Sequence, residues 1–94
     1  MAYAIARVKI GEFDQFIETF STRGKAKRAE HGCRGATVYR NAEDAQEIVS
    51  VFDWDRDGVE AFMADPEARE IMTAAGLQGP PEFTFVEHET EFES

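Results

Sequence analysis

Ninety-four residues, 43% apolar and 31% charged, make one globular domain, residues 1–94, with no room for a second core. A net charge of −9 speaks against nucleic acid as a main partner, because affinity there comes from neutralising phosphates, and against an anionic membrane surface. Cys33 is the lone cysteine, which rules out a disulfide framework and a cysteine-rich metal site.

The opening MAYAIARVKIG is apolar, yet too short for a membrane span and without the basic start of a signal peptide, so a cytoplasmic protein is expected. Residues 2–10 alternate, with Tyr3, Ile5, Arg7 and Lys9 on one side and Ala4, Ala6, Val8 and Ile10 on the other, which predicts a strand with one buried face. From Glu12 the period changes: Phe13, Phe16, Ile17, Phe20 and Gly24 form the stripe of a single helix ending near Glu30–Gly32, where Gly32 suits a left-handed cap. Residues 34–41 and 47–54 read as two strands joined through the polar turn NAEDAQ, an antiparallel hairpin. Asp57 with Glu60 reads as a capping box opening a second helix, with Val59, Phe62 and Met63 inward. Asp65-Pro66-Glu67 is a fresh start signal, so a break is expected there, followed by Ala68, Ile71, Met72 and Ala75 inward and Gly76 closing. Gly79-Pro80-Pro81 forbids helix and leads into a last strand, Phe83 to Phe92.

The order β-α-β-β-α-β predicts an α+β, ferredoxin-like fold: a four-stranded antiparallel sheet with its helices on one face. The large apolar residues Tyr3, Ile5, Tyr39, Phe52, Trp54, Phe83 and Phe85 exceed what one sheet face needs. The helix-free face is therefore expected to stack on that of a second copy, giving a homodimeric barrel with Phe85 in its interior. Arg23, Lys25, Lys27, Arg28 and Arg34 place half of the ten basic residues within twelve positions, and five glutamates crowd the stretch 82–93. Both runs suit solvated surface; the sharper expectation is that the basic helix end meets the acidic strand, within one subunit or between two.

The stretches YAIARVKIGEFDQFIETF, HGCRGATVYRN, VFDWDRDGVEAFMADPEARE and EFTFVEHETEF resemble the antibiotic biosynthesis monooxygenase-like domains of the dimeric α+β barrel superfamily over nearly the whole chain. The resemblance implies a dimeric α+β barrel with a substrate cleft between sheet and helices. It also implies activities that range from cofactor-independent oxygenation of aromatic polyketides to quinol oxygenation, haem degradation and lactone isomerisation. Haem-degrading members carry an Asn on the first strand and a Trp and an iron-binding His on the second helix. Here the first strand lacks Asn, and residues 57–76 contain neither Trp nor His, so haem degradation is disfavoured.

Cofactor-free oxygenation needs an apolar pocket, a group that deprotonates or orients a phenolic substrate, and donors for the developing anion. His88, sharing a strand face with Thr84, Val86, Thr90 and Phe92, is the candidate general base, set against a role in hydrogen-bonded packing. Trp54, Phe62, Met63, Tyr39 and Arg7 are the candidate pocket residues, although Trp54 reads more strongly as a core anchor for the strand-to-helix turn. His31 suits the negative end of its helix, Arg40 suits a salt bridge as well as a substrate anion, and Cys33 near a helix C-terminus is a poor nucleophile. Two distant histidines match no metal-ligand spacing, so neither a metal nor a cofactor is expected. The leading expectation is a homodimer binding a small apolar or aromatic molecule as a cofactor-independent monooxygenase. The alternative is a non-catalytic module for dimerisation or ligand binding.

Overall fold

In the computed structural model, which describes residues 2–94, the alternating opening forms strand β1 (Ala2–Lys9), with Ala4 and Ala6 buried and Arg7 and Lys9 in solvent. The helical stripe that follows is two helices, where one was expected: α1 (Phe13–Ser21) and α2 (Arg23–Glu30). They part at Thr22, whose backbone lies at φ −117°, ψ −94°. Thr22 Oγ1 donates to Glu18 O at 2.7 Å and Ser21 Oγ donates to the same carbonyl at 3.3 Å. Two adjacent hydroxyls thus take the acceptor that the Thr22 amide would use, and that amide bonds to Thr19 O instead.

Strands β2 (Gly35–Asn41) and β3 (Asp44–Asp53) form the expected hairpin, but β3 starts three residues before Glu47. Asn41 Oδ1 accepts from the Glu43 amide at 2.8 Å and Asp44 Oδ1 from the Gln46 amide at 3.0 Å, so the side chains close the turn within fewer residues. Helices α3 (Arg56–Ala64) and α4 (Pro66–Ala74) are parted at Asp65, as the start signal predicts. The first start differs. Asp55 is the N-cap of α3, Asp57 lies in its first turn, and no side chain caps the helix. The physical reason is the anchoring of Trp54: its indole Nε1 donates to His31 O at 2.9 Å, which sets where the chain leaves the sheet. Gly32 and Gly76 take positive φ (88° and 84°) where the helical segments end.

Strand β4 (Glu82–Glu87) stops well short of Phe92, which is exposed. Its last residue, Glu87, pairs with Ala2, the first described residue of β1. The sheet order is β2-β3-β1-β4, antiparallel throughout, the ferredoxin-like arrangement with each helix broken in two. Register places Ala36, Phe52, Ala4 and Phe85 in one row and Val38, Ser50, Ala6 and Phe83 in the next, and these rows meet the helices. Phe85 therefore belongs to the helix side, where Arg56 lies 4.2 Å over its ring, and not to the bare face. The bare face carries Tyr3, Ile5, Val49, Val51 and Val86. No described helix is long and apolar enough to cross a membrane.

The core has two lobes between sheet and helices. Phe52, Trp54, Val59 and Phe62 build one, and Ile10, Phe16, Ile48 and Ala75 the other, with Phe20 packed against both.

Candidate functional site

The floor of the space between the layers is made of small residues. Ala6 and Ser50, paired across β1 and β3 at the centre of the helix-facing sheet, are buried and line that space. Large rings stand around them: Phe16 and Phe20 from α1, Phe52 from β3, and Phe62 from α3. The shortfall at the centre leaves an apolar cavity of about 70 Å³. That volume takes a few waters or a fragment of a ligand, against roughly 300 Å³ or more for sites that bury a drug-sized molecule.

Trp54 is 1% exposed and lies on the cavity wall, edge-on to both Phe52 (5.5 Å between centroids) and Phe62 (5.2 Å). Its hydrogen bond to His31 O ties the end of β3 to the end of α2. Gly58, in the first turn of α3, makes this possible. A Cβ there would stand 2.4 Å from His31 O and 2.6 Å from Trp54 Nε1, closer than any real side-chain carbon comes.

The polar groups lining the cavity include Thr19, Ser50 and Arg28. Arg28 is only 8% exposed, and its guanidinium lies flat on Phe20, 3.7 Å from the ring centroid. Among the described residues it forms no ion pair; the polar side chain it meets is the Cys33 thiol. Burial pushes the Arg28 pKa down, but arginine starts so high that it stays a cation at neutral pH. A buried charge without a carboxylate is costly to keep.

Its neighbour Lys27 is buried too, and fully paired. Lys27 Nζ lies 2.6 Å from Glu30, 3.2 Å from Asp65 and 3.2 Å from Glu67, joining α2 to the start of α4. Asp65 also accepts from the Glu67 amide and lies 2.9 Å from His31 Nε2. The His31 hydrogen bond first, with help from the Glu67 amide and Lys27, holds the Asp65 carboxyl down at about 2, against an ordinary 3.8. Lys27 itself is shifted upward, chiefly by Glu30. Glu30, His31 and Asp65 lie close enough to share a metal ion, but the Lys27 ammonium already sits on both carboxylates, so the cluster works as an ion-pair network. The basic helix end thus meets α4, and Arg34 meets Asp53 at 3.0 Å and Asp55 at 3.6 Å; among the described residues no ion pair joins it to the acidic strand of its own chain.

Of the residues singled out from sequence, Trp54 and Phe62 come together at the cavity. Met63 is half-buried, packs against the core lobe of Trp54, and lines a shallow depression beside Pro80 and Pro81. Tyr39, 57% exposed, points from β2 to the helix-free side, and Arg7 does the same from β1, paired with Glu47 at 3.2 Å. His88 lies beyond the end of β4, half-exposed, with Nε2 3.2 Å from Glu91 Oε1, away from the cavity. Arg40 stacks 3.7 Å over Phe13. The cavity residues that sequence reasoning passed over are Arg28, Ser50 and Phe20. A signal for Arg28 existed: the stripe Phe13, Phe16, Ile17, Phe20, Gly24, carried forward, lands on Lys27 and Arg28, the two buried members of the basic run.

Comparison with known proteins follows this geometry. The model of the antibiotic biosynthesis monooxygenase family matches residues 1–74, everything up to the end of α4. No curated protein matches the chain. Among solved structures, a Bordetella bronchiseptica protein assigned to the antibiotic biosynthesis monooxygenases superposes with a TM-score of 0.77 at 18% identity, covering 95% of this chain and 97% of that one. SnoaB, a cofactor-independent oxygenase of Streptomyces nogalater, gives 0.73 at 20% identity over 99% and 97%. The ActVA-Orf6 monooxygenase of Streptomyces coelicolor, solved with nanaomycin D, gives 0.69 at 20% identity over 99% and 91%. At such identities the likeness shows the shared fold, and the family model over most of the chain shows the lineage. The chain belongs to the antibiotic biosynthesis monooxygenase family.

Proposed function

We propose that this protein is a cofactor-independent monooxygenase of a small, electron-rich aromatic substrate, working as a homodimer. The observation that carries the reading is the aromatic-walled cavity between sheet and helices, with the Arg28 cation at its wall. Family membership and the likeness to SnoaB, a cofactor-independent oxygenase, support it. A phenol or anthrone that reaches into this space with one edge meets aromatic rings and a positive charge that favours its ionised form. The anion then supplies the electrons. For an anthrone, one O2 is consumed; the ring CH2 becomes a carbonyl holding one oxygen atom, and the other leaves as water with the two CH2 hydrogens. All four electrons come from the substrate, so no external reductant is required.

The cavity of about 70 Å³ is small for this task, which favours as a second reading a non-catalytic module that carries a ligand or dimerises. Oxygen uptake decides between them. With 1,8-dihydroxyanthrone in an oxygen electrode, the protein should accelerate uptake well above spontaneous autoxidation. Ser50→Leu, which fills the cavity floor, should abolish most of the acceleration while circular dichroism stays native. Uptake equal to the protein-free rate would leave the carrier reading standing.

The dimer reading rests on the helix-free face. Tyr3, Ile5, Val49, Val51 and Val86 form its apolar centre, and Arg7–Glu47 and Lys9–Asp44 ion pairs lie toward one end. An apolar centre with a charged margin is the anatomy of a protein interface, and a face of this kind without helices calls for a cover.

A further inference from the structure

Arg28 borders a second space. On the outer side of α2, toward the start of edge strand β2, lies an open basin of about 450 Å³. Its lining includes Lys25, Arg28 and Arg34, with Phe20 and Ala36 as apolar wall, and no carboxylate. Arg34 is committed to Asp53 and Asp55. Lys25 is exposed, and Arg28 is more than nine-tenths buried and forms no ion pair among the described residues. In a chain of net charge −9, this is an unneutralised basic hollow. Phe20 and Arg28 line both the basin and the cavity, so the two spaces meet at this pair.

We propose that basin and cavity form one site for an organic anion, its charged group held between Lys25 and Arg28 and its flat apolar body passing Phe20 toward the cavity. The chemistry selects an aromatic carboxylate or a group of equal charge. A guanidinium offers a planar pair of donors to a carboxylate, and the missing counter-ion of Arg28 is what such a ligand supplies. Phe20, with Arg28 over its ring, gives the ligand's body an apolar wall beside the cation. The volumes agree with this division: the cavity alone is too small for a ring system, whereas the basin accommodates one. The inference rests on the reading above for the role of the cavity, but not on any oxidation occurring there.

The test is isothermal titration with 2-naphthoate and its neutral isostere 2-naphthamide. The wild-type protein should bind the carboxylate about tenfold or more tightly than the amide, a margin set by one charge-assisted pair. Arg28→Met, which keeps the apolar stem, should erase that preference. Lys25→Met, an exposed position outside the packing, should reduce it and serves as the reading if Arg28→Met does not fold. Inorganic phosphate at millimolar concentration should not displace 2-naphthoate. Equal affinity of the two naphthalenes for wild type would overturn the proposal, as would a preference that survives the substitutions or full displacement by phosphate. Naphthoate binding without anthrone turnover would remove only the oxygenase reading. Turnover without carboxylate preference would remove only this one.

Discussion

Gly58 shows how much a single absent methyl can decide. The Trp54–His31 hydrogen bond passes so close to its Cα that alanine cannot be seated without moving a buried indole or a backbone carbonyl. Alanine is worth up to about 1 kcal/mol over glycine in a helix, whereas overpacking a core costs about 1–3 kcal/mol. The clash should win. Gly58→Ala is expected to lower Tm by about 4–8 °C and to shift Trp54 fluorescence to the red as the indole loses its enclosure. An unchanged emission maximum with a raised Tm would mean the helix start tolerates a Cβ. At His88 the expectation is the opposite. Half-exposed and bonded only to Glu91 among the described residues, it should accept alanine with a Tm change of about 1 °C or less and no change in oxygen uptake. A collapse of uptake in His88→Ala would place the base beyond the end of β4, outside the cavity.

At the scale of elements, the two acidic helix starts are unequal. Asp65 caps α4 through the Glu67 amide, pairs with Lys27 and His31, and is partly buried; Asp57 caps nothing. Asp65→Ala should therefore lower Tm by roughly 5–10 °C and Asp57→Ala by about 2 °C or less, measured in one buffer. Equal losses would show that the ion-pair joint between α2 and α4 adds nothing. The joint also predicts an acid limb. Asp65 titrates near 2 in the folded protein against an ordinary 3.8, so the folded state favours its ionised form. That contribution is whole above about pH 4 and is lost as pH falls toward 2. Asp65→Asn should flatten the fall in Tm between pH 4 and pH 2 relative to wild type. Parallel curves for the two proteins would assign the acid limb to other carboxylates.

For the whole molecule, the proposed dimer is tested on the face without helices. Val51 lies in its middle, opposite Ile5 on β1 and Thr37 on β2, and its side chain faces away from the core. Light scattering should report twice the chain mass for wild type and a single chain mass, or aggregates, for Val51→Glu. A monomeric wild type would refute the barrel. Phe85→Glu is the wrong probe for that question, because Phe85 faces the helices beside Ala4 and its charge would strike the core lobe of Phe52 and Trp54.

Periodicity and punctuation alone determined much of this protein. The alternation of residues 2–10, the Asp65-Pro66 restart, the positive-φ glycines at 32 and 76 and the hairpin after Cys33 all follow from local chemistry, and their order leads to the ferredoxin-like topology. Each of these features is set by a residue and its nearest neighbours along the chain, so it is visible without the fold. What the tertiary structure decided depends on distant partners. α3 starts where the Trp54 bond to His31 lets it, and Phe85 faces the helices because its register sets it beside Ala4. The candidate site belongs to this second class. Small residues at the sheet centre matter only because rings from α1, α3 and β3 surround them. Arg28 looked like one charge in a solvated run, and became distinctive only when packing buried most of it against Phe20 and, among the described residues, brought it no carboxylate.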